Sequence, residues 1–152
     1  MESVRVLELP KCKMVASQCA MFGEGPLEAF DSWFSTLKRE IFPRDFLGFD
    51  ESRGGFVWYY LYQEGMDVPE DFEIVDFEGG LYAVVTGIDG ESDVDAMAAV
   101  KEFLQANGNL EEDPSRPALG NVITLPAAKE ALGYGQMDYY VPVKAANRSE
   151  AL

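Results

Sequence analysis

The sequence predicts an α+β domain. Two duplicated β-α-β-β units form a mostly antiparallel sheet, with the helices on one face and a ligand groove at the pseudo-two-fold seam. Three observations predict it. The segment Met14-Val15-Ala16-Ser17-Gln18-Cys19-Ala20-Met21-Phe22-Gly23 aligns without a gap on Leu81-Tyr82-Ala83-Val84-Val85-Thr86-Gly87-Ile88-Asp89-Gly90. The same offset places Phe30, Trp33 and Leu37 on Met97, Val100 and Leu104, at helical spacing in both copies. Val57-Trp58-Tyr59-Tyr60-Leu61-Tyr62 then falls on Met137-Asp138-Tyr139-Tyr140-Val141-Pro142. The copies run over about residues 4–63 and 72–144 of a single domain spanning 1–152.

Each element has a local reason. Val4, Val6, Leu7 and Leu9 make a first strand that ends near Pro10, and Met14 to Ala20 continues it after a kink. Pro26 suits the first turn of a helix. Leu27, Phe30, Trp33, Phe34, Leu37 and Ile41 carry that helix to a stop before Pro43. Phe46–Phe49 and the aromatic run Phe56–Gln63 are strands joined by a hairpin over Asp50–Gly55, whose glycines suit a tight turn. The polar stretch Glu64–Asp71 links the copies. Phe72–Phe77 opens the second copy, and Gly79-Gly80 breaks it before Leu81–Val85. Ser92 or Asp93 caps a helix over Val94–Ala106, which Asn107-Gly108 ends. Asn109–Pro117 reads as a loop, Asn121–Leu125 as a strand and Pro126–Leu132 as a short helical turn. Met137–Lys144 is the last strand, and Ala145–Leu152 is a tail.

Composition narrows the function. The net charge of −15, from 12 basic and 27 acidic residues, repels nucleic acid, whose affinity rests on phosphate neutralisation by Lys and Arg. Direct DNA binding is therefore not expected, and cationic partners are favoured. No apolar run reaches the length of a membrane span, and the N-terminus has no signal-peptide pattern, so a cytoplasmic protein is expected. The chain has no histidine, which removes the commonest general base and metal ligand. Neither a metal nor a cofactor is expected. Cys12 and Cys19, about 20 Å apart along an extended strand, are expected to stay reduced.

Alternation along the strands selects a candidate site. Met137, Tyr139, Val141 and Val143 share one face, apolar enough to lie under the helices. Asp138 and Tyr140 share the other. In the first copy Val57, Tyr59 and Leu61 are placed under the helix, so Trp58, Tyr60 and Tyr62 join Asp138 and Tyr140 on the helix-free face. Aromatic rings offer area and cation–π attraction of about 0.5–2 kcal/mol each. Aspartate is depleted inside strands, which makes Asp138 the most informative member. Half-exposed aromatic pairs across strands are the structural alternative.

The segment Gly133-Tyr134-Gly135-Gln136-Met137-Asp138-Tyr139-Tyr140-Val141-Pro142-Val143 resembles the closing strand of the GyrI-like small-molecule-binding domain. Gly79-Gly80-Leu81-Tyr82-Ala83-Val84 resembles that family's glycine-rich turn and Tyr-Ala-Val strand. The same domain is the effector-binding part of AraC-type and MerR-type multidrug-sensing regulators. The resemblance covers about Val4 to Lys144 and implies a tandem SHS2-type repeat with a ligand groove between copies. It places on Asp138 the acidic residue, mostly glutamate in the family, that meets cationic ligands. Where relatives sometimes carry a tryptophan, this chain has Gly135.

Three functions follow as expectations. The first is a stand-alone effector-binding domain that senses or sequesters hydrophobic molecules, cations among them. In it Trp58, Tyr60, Tyr82 and Tyr140 stack on the ligand and Asp138 pairs with its charge. The second is a hydrolase of electrophilic toxins, with Asp138 as general base and Tyr140 as acid or orienter. The third, implied by the family's gyrase-inhibiting branch, is a binder of a protein partner.

Overall fold

A computed structural model describes residues 3–37, 45–124 and 126–146. In chain order the elements are β1 (Arg5–Leu9), β2 (Cys12–Ala16), α1 (Gly25–Thr36), β3 (Phe46–Asp50), β4 (Gly55–Leu61), β5 (Glu73–Phe77), β6 (Gly80–Ile88), α2 (Val94–Ala106), β7 (Leu110–Glu112), β8 (Leu119–Val122), α3 (Pro126–Leu132) and β9 (Gln136–Ala145). The chain is α+β, and its strand ladders are antiparallel. It divides into two compact units. One is continuous, from Pro10 to Gly79; the other is split, joining the N-terminal strand to the chain from Gly80 onward.

In the continuous unit the strands run in the order β3-β4-β2-β5. α1 buries Leu27, Phe30 and Phe34, the apolar stripe that its spacing dictates, with Pro26 in its first turn. Those rings meet Val15, Trp58, Tyr60 and Phe72 in one aromatic core. The helix ends at Thr36, short of the expected Ile41, because Leu37 is already extended. The Thr36 hydroxyl donates to the Trp33 carbonyl (2.6 Å), the backbone competition that makes such residues poor inside helices. The expected stop before Pro43 lies outside the described residues, as do Leu125 and most of the expected tail. At the β3–β4 hairpin Gly54 takes φ +67°, a left-handed conformation that suits glycine.

In the split unit the order is β1-β6-β9-β8, with β7 pairing β9 beyond the end of β8. Its core sets Ala96 and Val100 of α2 on Ala83, Val85, Val141 and Val143. The Ser92 hydroxyl accepts from the Val94 amide at the start of α2. The stretch read as a loop over Asn109–Pro117 contains β7. The strand expected from Asn121 instead runs over Leu119–Val122, held by the Tyr140 and Met137 pairings.

The units do not coincide with the sequence copies. β1 belongs to the first copy but pairs with β6, and β5 belongs to the second but pairs with β2. The copies are also one residue out of phase. Buried Phe30 and Phe34 of α1 match buried Ala96 and Val100 of α2, not Met97 and the residues around it. A slip of one residue turns every strand side chain to the opposite face.

Two hairpin and loop carboxylates set an acid limit. Asp50 accepts from the Ser52 hydroxyl and Arg53, and Asp113 from the Ser115 hydroxyl and Arg116; each is held at about 2. An unfolded aspartate titrates near 3.9, so the folded forms bind their protons later. The stability these groups contribute is full above about pH 4 and is lost as pH falls through about 2. Urea midpoints should therefore fall between about pH 4 and pH 2, and the double variant D50N/D113N should flatten that slope. A slope unchanged in the variant would assign acid sensitivity to other carboxylates.

Candidate functional site

The sheet face of the split unit opposite α2 carries three rows of paired side chains. Thr86, Asp138 and Asn121 form one, Arg5, Val84, Tyr140 and Leu119 the next, and Leu7, Tyr82 and Pro142 the third. The parity expected for β9 holds: Val141 and Val143 lie under α2 while Asp138 and Tyr140 face away. Asp138 is 7 % exposed, a buried carboxylate in a strand interior. Burial of a charge is tolerated only with partners, and it has them. The Thr86 hydroxyl donates to Oδ1 at 2.5 Å and Arg5 Nη2 donates to Oδ2 at 3.4 Å. The Arg5 side chain is 52 % exposed, so the ion pair joins a buried acid to a partly solvated base.

Tyr82 and Tyr140 are both buried and meet edge to face, with centroids 6.2 Å apart. Arg116 lies over the Tyr82 ring at 4.7 Å, a cation–π geometry. Its Nη2 donates to the carbonyls of Leu81 (2.9 Å) and Val143 (2.7 Å), and its Nε to Asp113 (3.0 Å). Glycine at position 80 makes room for it: a Cβ there, at φ +120°, would stand 2.6 Å from Nη1. The site thus unites Asp138, Tyr140 and Tyr82 with four residues the sequence did not single out: Arg5, Thr86, Asn121 and Arg116. Arg5 is a charge in an apolar strand, and its neighbour across the sheet is legible only once β1 is known to pair with β6.

Trp58 and Tyr60 are not on such a face. Both point under α1 in the continuous unit, which corrects the expected orientation of β4. Trp58 stacks on Phe30 at 5.3 Å and donates its indole N–H to Asp45 Oδ2 at 2.8 Å. Tyr60 meets Phe34 edge to face at 5.0 Å. The cause is register: Val15, which packs against Phe30, is the cross-strand partner of Tyr60, so both side chains share the helix face. Cys12 and Cys19 are free thiols, and burial pushes that of Cys12 up. Among the described residues no three His, Cys, Asp or Glu side chains converge to hold a metal ion, and no helix is long and apolar enough to cross a membrane.

No protein-family model matches the chain, and no curated protein sequence does. Solved structures do. The C-terminal domain of EcmrR superposes with a TM-score of 0.66 at 8 % identity, over 96 % of this chain and 99 % of that one. Against EcmrR in its complex with DNA, the chain spans 58 % of that protein's length, with a TM-score of 0.68 at 9 % identity and 95 % of this chain covered. SAV2435 bound to tetraphenylphosphonium gives 0.52 at 12 % identity, over 93 % and 94 % of the two chains. A hydrolase from Listeria innocua gives 0.66 at 11 % identity, over 93 % and 91 %. The fold is that of the GyrI-like domain.

Proposed function

We propose that this chain is a small-molecule-binding domain that senses or sequesters hydrophobic ligands, cations among them, and that Asp138 with Tyr82 and Tyr140 receives the ligand. The observation that carries the reading is the buried Asp138, set opposite α2 next to the row of Tyr140 and held by Thr86 and Arg5. The fold it shares with EcmrR's C-terminal domain and with SAV2435, solved bound to an organic cation, supports the same reading.

Arg5 sets the terms of selection. It already neutralises Asp138, so a cationic ligand gains only the difference between its own pairing and that with Arg5. A neutral ligand leaves the pair intact and uses the tyrosine rings and the hydroxyls. Calorimetric titration with tetraphenylphosphonium tests this. D138N should lower affinity roughly tenfold or more, and R5Q should raise it, since a carboxylate freed of its counter-ion attracts a cation more strongly. Opposite signs from two neighbouring substitutions separate a charge effect from damage to the fold. Equal affinity in D138N would remove Asp138 from the site.

A second reading uses the same carboxylate as the general base of a hydrolase, and the Listeria innocua hydrolase on this fold favours considering it. Turnover of an electrophilic epoxide that disappears in D138N supports it. Tight binding of the unreacted epoxide with no turnover supports the binding domain.

A further inference from the structure

We propose that the continuous unit holds a second site, separate from Asp138, that takes a compact organic cation in the cavity at the C-terminal end of α1. The cavity measures about 560 Å³, within the size of small-molecule pockets. Trp33 and Leu37 at the end of α1, Tyr60 of β4, and Glu64, Met66 and Asp67 of the following loop line it.

The wall is built before any ligand arrives. The Trp33 indole N–H donates to the Asp67 carbonyl at 3.1 Å, which clamps the ring to the loop. The same ring packs edge-on against Phe30 (5.3 Å) and Phe72 (5.6 Å). The loop is itself closed by the Met66 amide on the Gln63 carbonyl at 3.0 Å, and Gly65 takes the turn at φ +86°. Clamped aromatic surfaces cost little ordering on binding.

The chemistry of the lining points to a cation. Indole and phenol faces carry negative quadrupoles, and the methionine sulfur is polarisable. Glu64 and Asp67 stand exposed at the cavity. No basic side chain lines the cavity among the described residues. α1 ends here with no basic residue in its last turn, and the last carbonyls of a helix carry its partial negative charge. Two carboxylates beside aromatic rings suit an alkylammonium rather than a divalent metal, which asks for more oxygen ligands.

The chain holds two tryptophans, so its NMR spectrum has two indole N–H resonances, and W33F assigns one of them. The probes are choline, its uncharged carbon isostere and benzoate. Choline should shift the Trp33 resonance saturably, and the isostere should bind roughly tenfold more weakly. E64Q/D67N, two exposed substitutions, should weaken choline roughly tenfold, and added salt should weaken it in the native chain. Any of these results overturns the proposal: equal affinity for the isostere, preference for benzoate, undiminished choline affinity in E64Q/D67N, or no saturation at all. A shift lost in D138N would also overturn it, by assigning the cation to the split unit.

Discussion

Phe30→Ala should destabilise the protein by about 3–5 kcal/mol, measured as the fall in unfolding free energy in a denaturant titration. Phe30 is 0 % exposed and is the centre of the continuous unit's core. Its ring touches Phe72 at 5.1 Å, Trp33 and Trp58 at 5.3 Å each, and Phe34 at 6.2 Å. Truncation loses the transfer energy of the ring and leaves a void that four rigid aromatic neighbours cannot close, so the cavity penalty is retained. The better helix propensity of alanine returns less than about 1 kcal/mol. Phe22→Ala is the matched control, because Phe22 is 61 % exposed and its loss should cost far less. A Phe30→Ala loss below about 1 kcal/mol would mean that the core collapses onto the gap.

Arg116→Ala should cost about 3–5 kcal/mol, through a different mechanism. Leu81 and Val143 are cross-strand partners, and one guanidinium nitrogen accepts the task of satisfying both their carbonyls. The rest of the fork holds Asp113, and the plane covers Tyr82. The side chain is only 10 % exposed, so water cannot fully replace these bonds. Arg116→Lys should recover only part of the loss, since an ammonium is a point charge without the planar fork. Gly80→Ala should fail in the same place, because its Cβ would collide with the guanidinium. Thermal unfolding of the three variants checks the set. Full recovery in Arg116→Lys would reduce the role of Arg116 to its charge alone.

Much of this was legible in the sequence. The α+β class, the order of most elements and the faces of β9 follow from apolar periodicity and the glycine and proline punctuation, which are local signals. Asp138 was legible because a charge inside a strand needs a reason. The partner of that charge was not, since Arg5 lies at the other end of the chain and the β1–β6 pairing is a matter of topology. The orientation of β4 is not legible in its own residues, because Val57, Trp58, Tyr59, Tyr60 and Leu61 are all apolar or aromatic and alternation carries no phase there. The phase that the repeat implies is one residue out. The buried helix positions fix it: Phe30 and Phe34 against Ala96 and Val100. The helix stop at Thr36 was hidden by the apolar Leu37 and Ile41, which continued the pattern past the point where Ser35 and Thr36 favour leaving it.

The exchange of β1 and β5 has a consequence for how the chain comes off the ribosome. Leu9 faces Gly80 in one ladder and Cys12 faces Phe77 in the other. The stretch from Pro10 to Gly79 is thus a guest inserted into a host hairpin, entering and leaving through paired positions. Synthesis completes the guest first, while β1 waits with Val6 and Leu7 unpaired until β6 emerges. The β1–β6 ladder must wait for the whole guest and spans a wider separation in sequence than the other ladders within the two units, which is the slow kind of contact. A genetic deletion of the guest, with Asn-Gly set between Leu9 and Gly80 as a tight turn, would convert that late closure into a local one.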